Sequence, residues 1–220
     1  MAKLIYLSPE RRPKPHGPYA VGGVYEHDVC CEIAAFTATA LERCGFLAAI
    51  APPTFTLEER VNWANKNGVN YYMAIHTNAG GGTGAECLYY NHSASIRANQ
   101  LVYDELTKLY PSKRGIKDYT VFYENNTTNM VSCYPEIAFH DNPKDAAFIL
   151  ENKQAIGEAL AKGVCAYFSV AYVPPEEKPV DNKCECGDKL EKLKAENSAL
   201  RESLKGMKGK LSRVAAIINE

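Results

Sequence analysis

The sequence predicts an α/β fold: a mainly parallel twisted sheet flanked by helices, with a C-terminal coiled-coil helix appended. Three observations predict it. Short apolar runs closed by Gly or Pro alternate with longer runs whose apolar residues recur every three or four positions, the pattern of strands alternating with helices. One apolar run, Tyr71 to Ile75, stops at His76-Thr77-Asn78 and opens onto Gly80, Gly81, Gly82 and Gly84, as where α/β sheets place ligands. Beyond a Pro-rich stretch, Leu190, Leu193, Asn197, Leu200, Leu204, Met207, Leu211, Val214 and Ile218 form a heptad seam.

The elements follow in order. Lys3 to Leu7 reads as a first strand, and Ser8 to Gly23, with no periodicity and many prolines and glycines, as a loop containing His16. Val29, Ile33, Phe36, Ala40, Leu41 and Cys44 mark a helix from Glu26 to Cys44, with Gly45 as its C-terminal cap. Phe46 to Ala51 is a strand ended by Pro52-Pro53. Thr56 and Glu59 have the spacing of a capping box, which starts a helix reaching about Lys66. The strand ending at His76 follows, and after the glycines Ala85 to Tyr90 reads as another apolar run. Ser93 or Ser95 caps a helix from about Ser95 to Tyr110. Tyr119 to Tyr123 reads as a short strand, and Glu124 to Met130 as an Asn-rich loop. Val131 to Phe139 is a strand carrying Glu136, and helices run over Lys144 to Ile149 and Glu151 to Phe168. The domains are therefore 1–172, a linker at 173–187, and a coiled coil at 188–220 in which Asn197 at an a position favours a parallel pair.

Composition excludes several classes. Net charge is −1, and the lysines of the tail are interleaved with glutamates, which argues against a nucleic-acid partner. No apolar run approaches the roughly 20 residues of a membrane span, and the first residues lack the pattern of a signal peptide. Cys44, Cys87 and Cys165 lie in apolar runs, as reduced core thiols do. Cys184 and Cys186 lie in the polar linker.

Three residues carry candidate chemistry. His76 stands at the end of its strand. Glu26 stands at the start of the first helix. Glu136 is an acid inside VSCYPEIAF, costly to bury without a partner, and it reaches the His76 cleft if its strand lies beside that of His76. A hydrolytic zinc site needs about three such ligands and a nearby carboxylate.

The segments LIYLSP, YEHDVCCEIAAFTATALERCGF, TLEERVNWANKNGVNYYMAIHTNAGGGTGAECLYY, RGIK and CYPEIAFHDNPKDAAFI resemble the zinc-dependent N-acetylmuramoyl-L-alanine amidases of the amidase-3 family, over roughly residues 3 to 170. The resemblance implies Glu26 and His76 as zinc ligands and Glu136 as the catalytic carboxylate. It departs at the first ligand: the family often reads D-P-G-H-G-G where this chain reads Ser8-Pro9-Glu10-Arg11-Arg12. His16 is the nearest imidazole and the expected substitute, with His27 as the alternative. Asn78, Gly80 and Gly81 are expected to line the substrate cleft, unless they serve only the turn. His140 is read as structural and His92 as exposed.

What the resemblance implies is zinc-assisted hydrolysis of the amide between N-acetylmuramic acid and L-alanine in bacterial peptidoglycan, with Glu136 moving the proton. The coiled coil implies a homodimer. A phage lysin or autolysin, cytoplasmic until it reaches the wall, is the expected setting. The competing readings are an inactive wall-binding or scaffold protein on the same fold and a metallopeptidase cutting within stem peptides.

Overall fold

Strands and helices alternate along the chain of the computed structural model, which describes residues 2–11 and 18–176. The heptad segment, Cys184, Cys186 and His16 lie outside the described residues. In order the elements are β1 (Leu4–Pro9), α1 (Glu26–Arg43), β2 (Leu47–Ile50), α2 (Leu57–Lys66), β3 (Tyr71–Asn78), β4 (Glu86–Tyr89), α3 (Ser93–Leu109), β5 (Ile116–Asp118), α4 (Tyr123–Asn126), β6 (Val131–Phe139), α5 (Pro143–Glu151) and α6 (Lys153–Phe168). The strands form one sheet in the order β2-β1-β3-β6-β4-β5, parallel at every rung except β4 against β6.

The sheet separates two cores, and the strand period assigns residues to each. Ile5, Leu7, Tyr71, Met73, Ile75, Cys133 and Ile137 point into the larger core, with α1, α3 and α6. Tyr6, Tyr72, Ala74, Leu88 and Tyr134 point the other way, against Val61, Trp63 and Ala64 of α2. From β1 the chain crosses to β2 on one side and then back past β1 to β3. The order therefore reverses between β1 and β3, and the crevice at a doubly wound sheet's carboxyl ends opens at such a reversal.

Local chemistry sets most element ends. The capping box of α2 is complete: Thr56 Oγ1 accepts from the Glu59 amide at 3.2 Å, and Glu59 Oε2 accepts from the Thr56 amide at 2.7 Å. Helix α5 begins with Pro143 in its first turn behind an Asn142 cap, one residue ahead of the expected start.

Four expectations shift. Strand β3 runs past His76 to Asn78, because pairing with β6 resumes after a register shift and the His140 amide donates to the Asn78 carbonyl at 2.8 Å. Helix α3 is capped by His92, whose Nδ1 accepts from the Ala94 amide at 3.3 Å; Ser95 is buried instead and donates to the Ser132 carbonyl at 2.9 Å. The strand expected at Tyr119 to Tyr123 lies earlier, as β5. The Asp118 carboxylate accepts from the Thr120 amide at 3.1 Å and turns the chain there, so Tyr123 enters the short helix α4. Phe36, read as a core position of α1, is exposed.

At the far end Val173 is still bonded to the fold: its carbonyl accepts from Arg43 Nε at 2.8 Å, and its amide donates to Cys44 Sγ at 3.3 Å. The six cysteines among the described residues are free thiols.

Candidate metal centre and active site

The residues of interest meet at the carboxyl ends of β1, β3 and β6. In the β3–β6 register, His76 stands opposite Glu136. The next pairing is Asn78 with Phe139, so β6 carries one extra residue just past the histidine. Glu10 follows β1 directly, its amide donating to the Ile75 carbonyl at 3.1 Å and extending the ladder by one rung. Glu26 opens α1 and turns its carboxylate back to the sheet, where Oε1 accepts from the Thr77 amide at 2.9 Å.

Glu10, Glu26 and His76 each offer one ligand atom, and those atoms lie within 4.8 Å of one another. His76 Nδ1 is 3.1 Å from Glu10 Oε2 and 3.4 Å from Glu26 Oε1. The imidazole stacks on Tyr134, ring centres 4.4 Å apart and planes within 11°. On its other edge Nε2 is 3.9 Å from Glu124 Oε2.

The electrostatics follow from this crowding. Burial opposes a charge on His76, yet the Glu10, Glu124 and Glu26 carboxylates outweigh it and hold the imidazole's pKa well above its usual range. Burial likewise pushes Glu26 and Glu124 up, but the His76 cation, together with the Thr77 amide for one and the Ser8 and Tyr72 hydroxyls for the other, leaves both below the ordinary carboxylate range. Glu136 has no such relief. Among the described residues its buried Oε2 has no hydrogen-bond partner, and desolvation raises its pKa to about 8, with Glu26, Glu86 and Glu10 adding to the rise and His76 opposing it.

A divalent cation fits these residues. Two carboxylates converge on one ring nitrogen, a donor set of oxygen and imidazole suits such an ion, and the orphaned Glu136 oxygen lies beside it.

Glu26, His76 and Glu136 thus come together. His16 lies outside the described residues. His27 does not face the cluster: its Nδ1 sits 2.6 Å from the Glu10 carbonyl oxygen and its ring against Cys31, so it braces the backbone of the residue that does. Glu10 falls one residue before the position where the family pattern places a histidine, so the motif does not point to it. Glu124 gave no sequence signal, sitting in an Asn-rich stretch without periodicity.

The loop residues are engaged internally. Asn78 Nδ2 donates to Glu86 Oε1 at 2.7 Å. The Gly80 and Gly81 amides donate to Asp141 Oδ2 at 2.7 and 2.8 Å, and the Gly84 amide to Asp145 Oδ2 at 2.8 Å. Gly82 is required by packing, since a Cβ there would lie 2.4 Å from the Phe139 ring. His140 is buried, stacks on Tyr19 and contacts Thr77 Oγ1 at 3.0 Å, packing the turn after β6 onto β3. His92 is exposed at the cap of α3.

Comparison with known proteins bears on the fold and the family. N-acetylmuramoyl-L-alanine amidase CwlM of Bacillus licheniformis is 29% identical over 129 residues, which is 57% of this chain and 51% of that protein; the chain thus spans about half the length of that relative. Among solved structures, the fold resembles N-acetylmuramoyl-L-alanine amidase AmiC2 of Nostoc punctiforme, with a TM-score of 0.69 at 23% identity over 76% of this chain and 97% of that one. It also resembles the N-acetylmuramoyl-L-alanine amidase of Clostridium difficile 630, with a TM-score of 0.70 at 21% identity over 76% and 97% of the two chains. The Amidase_3 model, described as N-acetylmuramoyl-L-alanine amidase, matches residues 11–166, beginning just past Glu10, and the chain belongs to that family.

Proposed function

We propose that the chain hydrolyses the amide bond between N-acetylmuramic acid and L-alanine in peptidoglycan, using a zinc ion held by Glu10, Glu26 and His76 and Glu136 as the proton-transfer group. The observation that supports this reading most directly is the convergence of Glu10, Glu26 and His76 opposite Glu136 at the sheet's carboxyl edge, in a chain of the amidase family.

A zinc ion at these donors supplies Lewis acidity to a scissile carbonyl and lowers the pKa of a neighbouring water. Glu136 takes the proton of the attacking water and returns it to the leaving amine, as general base and then general acid. Desolvation, with Glu26, Glu86 and Glu10 adding to it, raises its pKa to about 8, which suits a group that exchanges a proton near neutral pH. Thr77 holds Glu26 through its amide, and Tyr134 holds the plane of the His76 ring. Asn78 and the Gly80–Gly81 turn, which Asp141 holds through two backbone amides, would line the substrate cleft. Pairing through residues 188–220 would place two catalytic domains on one polymer and raise avidity. A lysin or autolysin that meets its substrate at the cell wall is the setting consistent with that reading.

The departure at Ser8 to Arg12 keeps a second reading in play, a non-catalytic wall-binding protein on the amidase fold. Metal content and product analysis separate the two. Purified protein is expected to hold one zinc per chain, lost in His76→Ala. It is expected to release muropeptides with free L-alanine amino termini, with chelator or Glu136→Ala abolishing the release. Protein without stoichiometric zinc, or zinc content unchanged by His76→Ala, defeats the enzyme reading.

A further inference from the structure

The geometry points to Glu124 as a positioning residue that holds the His76 ring in the orientation that turns Nδ1 to the metal donors. This rests on the metal reading proposed above and adds to it a residue of this chain from a different element.

Stacking on Tyr134 sets the plane of the His76 ring but not its direction. A half-turn about Cβ–Cγ leaves the stack intact while exchanging Nδ1 and Nε2 for carbon atoms. Something on the ring edge must discriminate between the two. On one edge Nδ1 meets Glu10 and Glu26, which a bound cation would engage. On the other edge Nε2 faces the Glu124 carboxylate, whose Oε2 is 3.9 Å away.

Glu124 is built to present that oxygen. It is buried, on the four-residue helix α4, and Asn125 beside it ties α4 to β4 by donating to the Leu88 carbonyl at 3.2 Å. Its Oε1 accepts two hydroxyl hydrogen bonds, from Ser8 and from Tyr72, each 2.6 Å long. The direction of the Ser8 bond is set in turn. Arg60 Nη1 donates to Ser8 Oγ at 3.0 Å, so the hydroxyl proton points to the carboxylate. With Oε1 held from two strands, Oε2 is left to face the imidazole. At 3.9 Å the pair is beyond a hydrogen bond, and closing it takes about 1 Å of movement. Nδ1 on the metal and Nε2–H donating to Glu124 is the arrangement in which a partner carboxylate orients a ligating imidazole and raises its basicity.

The test uses the full chain loaded with zinc. Zinc affinity is measured by competition with a chromophoric chelator for the wild type and Glu124→Gln. Glutamine keeps the volume but has one oxygen, which cannot serve both hydroxyls and the imidazole. The expected result is a loss of about 10- to 100-fold in zinc affinity. Long-range ¹⁵N–¹H correlation on histidine-labelled protein supplies a readout that a purely structural role does not move. The wild type is expected to show His76 ligated through Nδ1 with a proton on Nε2 in a hydrogen bond, and the variant to lose that bonded signal. Affinity within twofold of wild type together with an unchanged spectrum, or ligation through Nε2 in the wild type, overturns the assignment. Wild type that takes no zinc defeats the metal reading itself, and Glu124 with it. Should Glu124→Gln not fold, Tyr72→Phe removes one of the bonds on Oε1. A several-fold loss of affinity is then expected, and no loss overturns the assignment.

Discussion

Glu86 and Glu136 occupy the same rung of the antiparallel β4–β6 pair, yet they live in opposite environments. Glu86 accepts from Arg114 Nε at 2.7 Å, from Lys117 and from Asn78; burial pushes its pKa up, but the two cations bring it below the ordinary carboxylate range. Among the described residues no cation is bonded to Glu136, one strand over, and one of its oxygens has no partner; its pKa rises to about 8. One carboxylate is an ionised strut that ties β4, β5 and the end of β3 together. The other, its pKa raised by burial, lies at the edge where three donors fit for a cation meet. Two acids whose surroundings drive their pKa values apart are the usual sign of a division between structure and chemistry.

Glu136→Gln keeps shape and removes the proton carrier. It is expected to lower amidase turnover by a factor on the order of 10² to 10⁴ with circular dichroism and zinc content unchanged, and near-normal turnover would break the contrast. Glu86→Ala should act the other way, destabilising the fold by about 1–3 kcal/mol in urea unfolding, because Arg114 and Asn78 lose a buried acceptor, while zinc content stays at wild-type level.

Acidity sharpens the contrast. For Glu136 the pKa is raised in the folded chain, so between about 4.5 and 8 the folded state keeps a proton that the unfolded chain has lost, and its contribution to stability falls as pH rises through that window. His76, also raised, contributes stability at low pH that is lost as pH climbs through its folded pKa. Metal-free protein is therefore expected to melt at progressively lower temperature as pH is taken from about 5 towards 9, with Glu136→Gln flattening the trend. Glu86, lowered in the fold, contributes with the opposite sign, and only on acidification. The smallest effect is expected for Lys117→Met. That side chain is 40% exposed, and Arg114, which also lies over the Phe139 ring at 4.6 Å, still serves Glu86. A change below about 1 kcal/mol is predicted, and a larger one would mean that Lys117 carries the pair.

Several features were legible from residues alone because they rest on contacts close in sequence. The boundaries of β6 follow from one apolar run ended by a turn, and the start of α2 from Thr56 and Glu59 three positions apart. The fold class followed from alternating periods. His76 and Glu136 were visible as polar residues on apolar strands, where their cost demands a role.

Tertiary structure decided the rest. That Glu136 lies opposite His76 depends on β6 inserting next to β3, a pairing of residues 60 apart in the chain that no local pattern encodes. That Glu10 completes the cluster depends on one further rung of the β1–β3 ladder carrying it past Pro9. That Glu124 faces the imidazole depends on an Asp118 turn that ends β5 early and winds Tyr123 to Asn126 into a helix. Strand and cap patterns are written in neighbours along the chain. A cluster of like charges is assembled only when separate loops are brought to one edge of a sheet, and its energy is set by which cations and hydroxyls arrive with them.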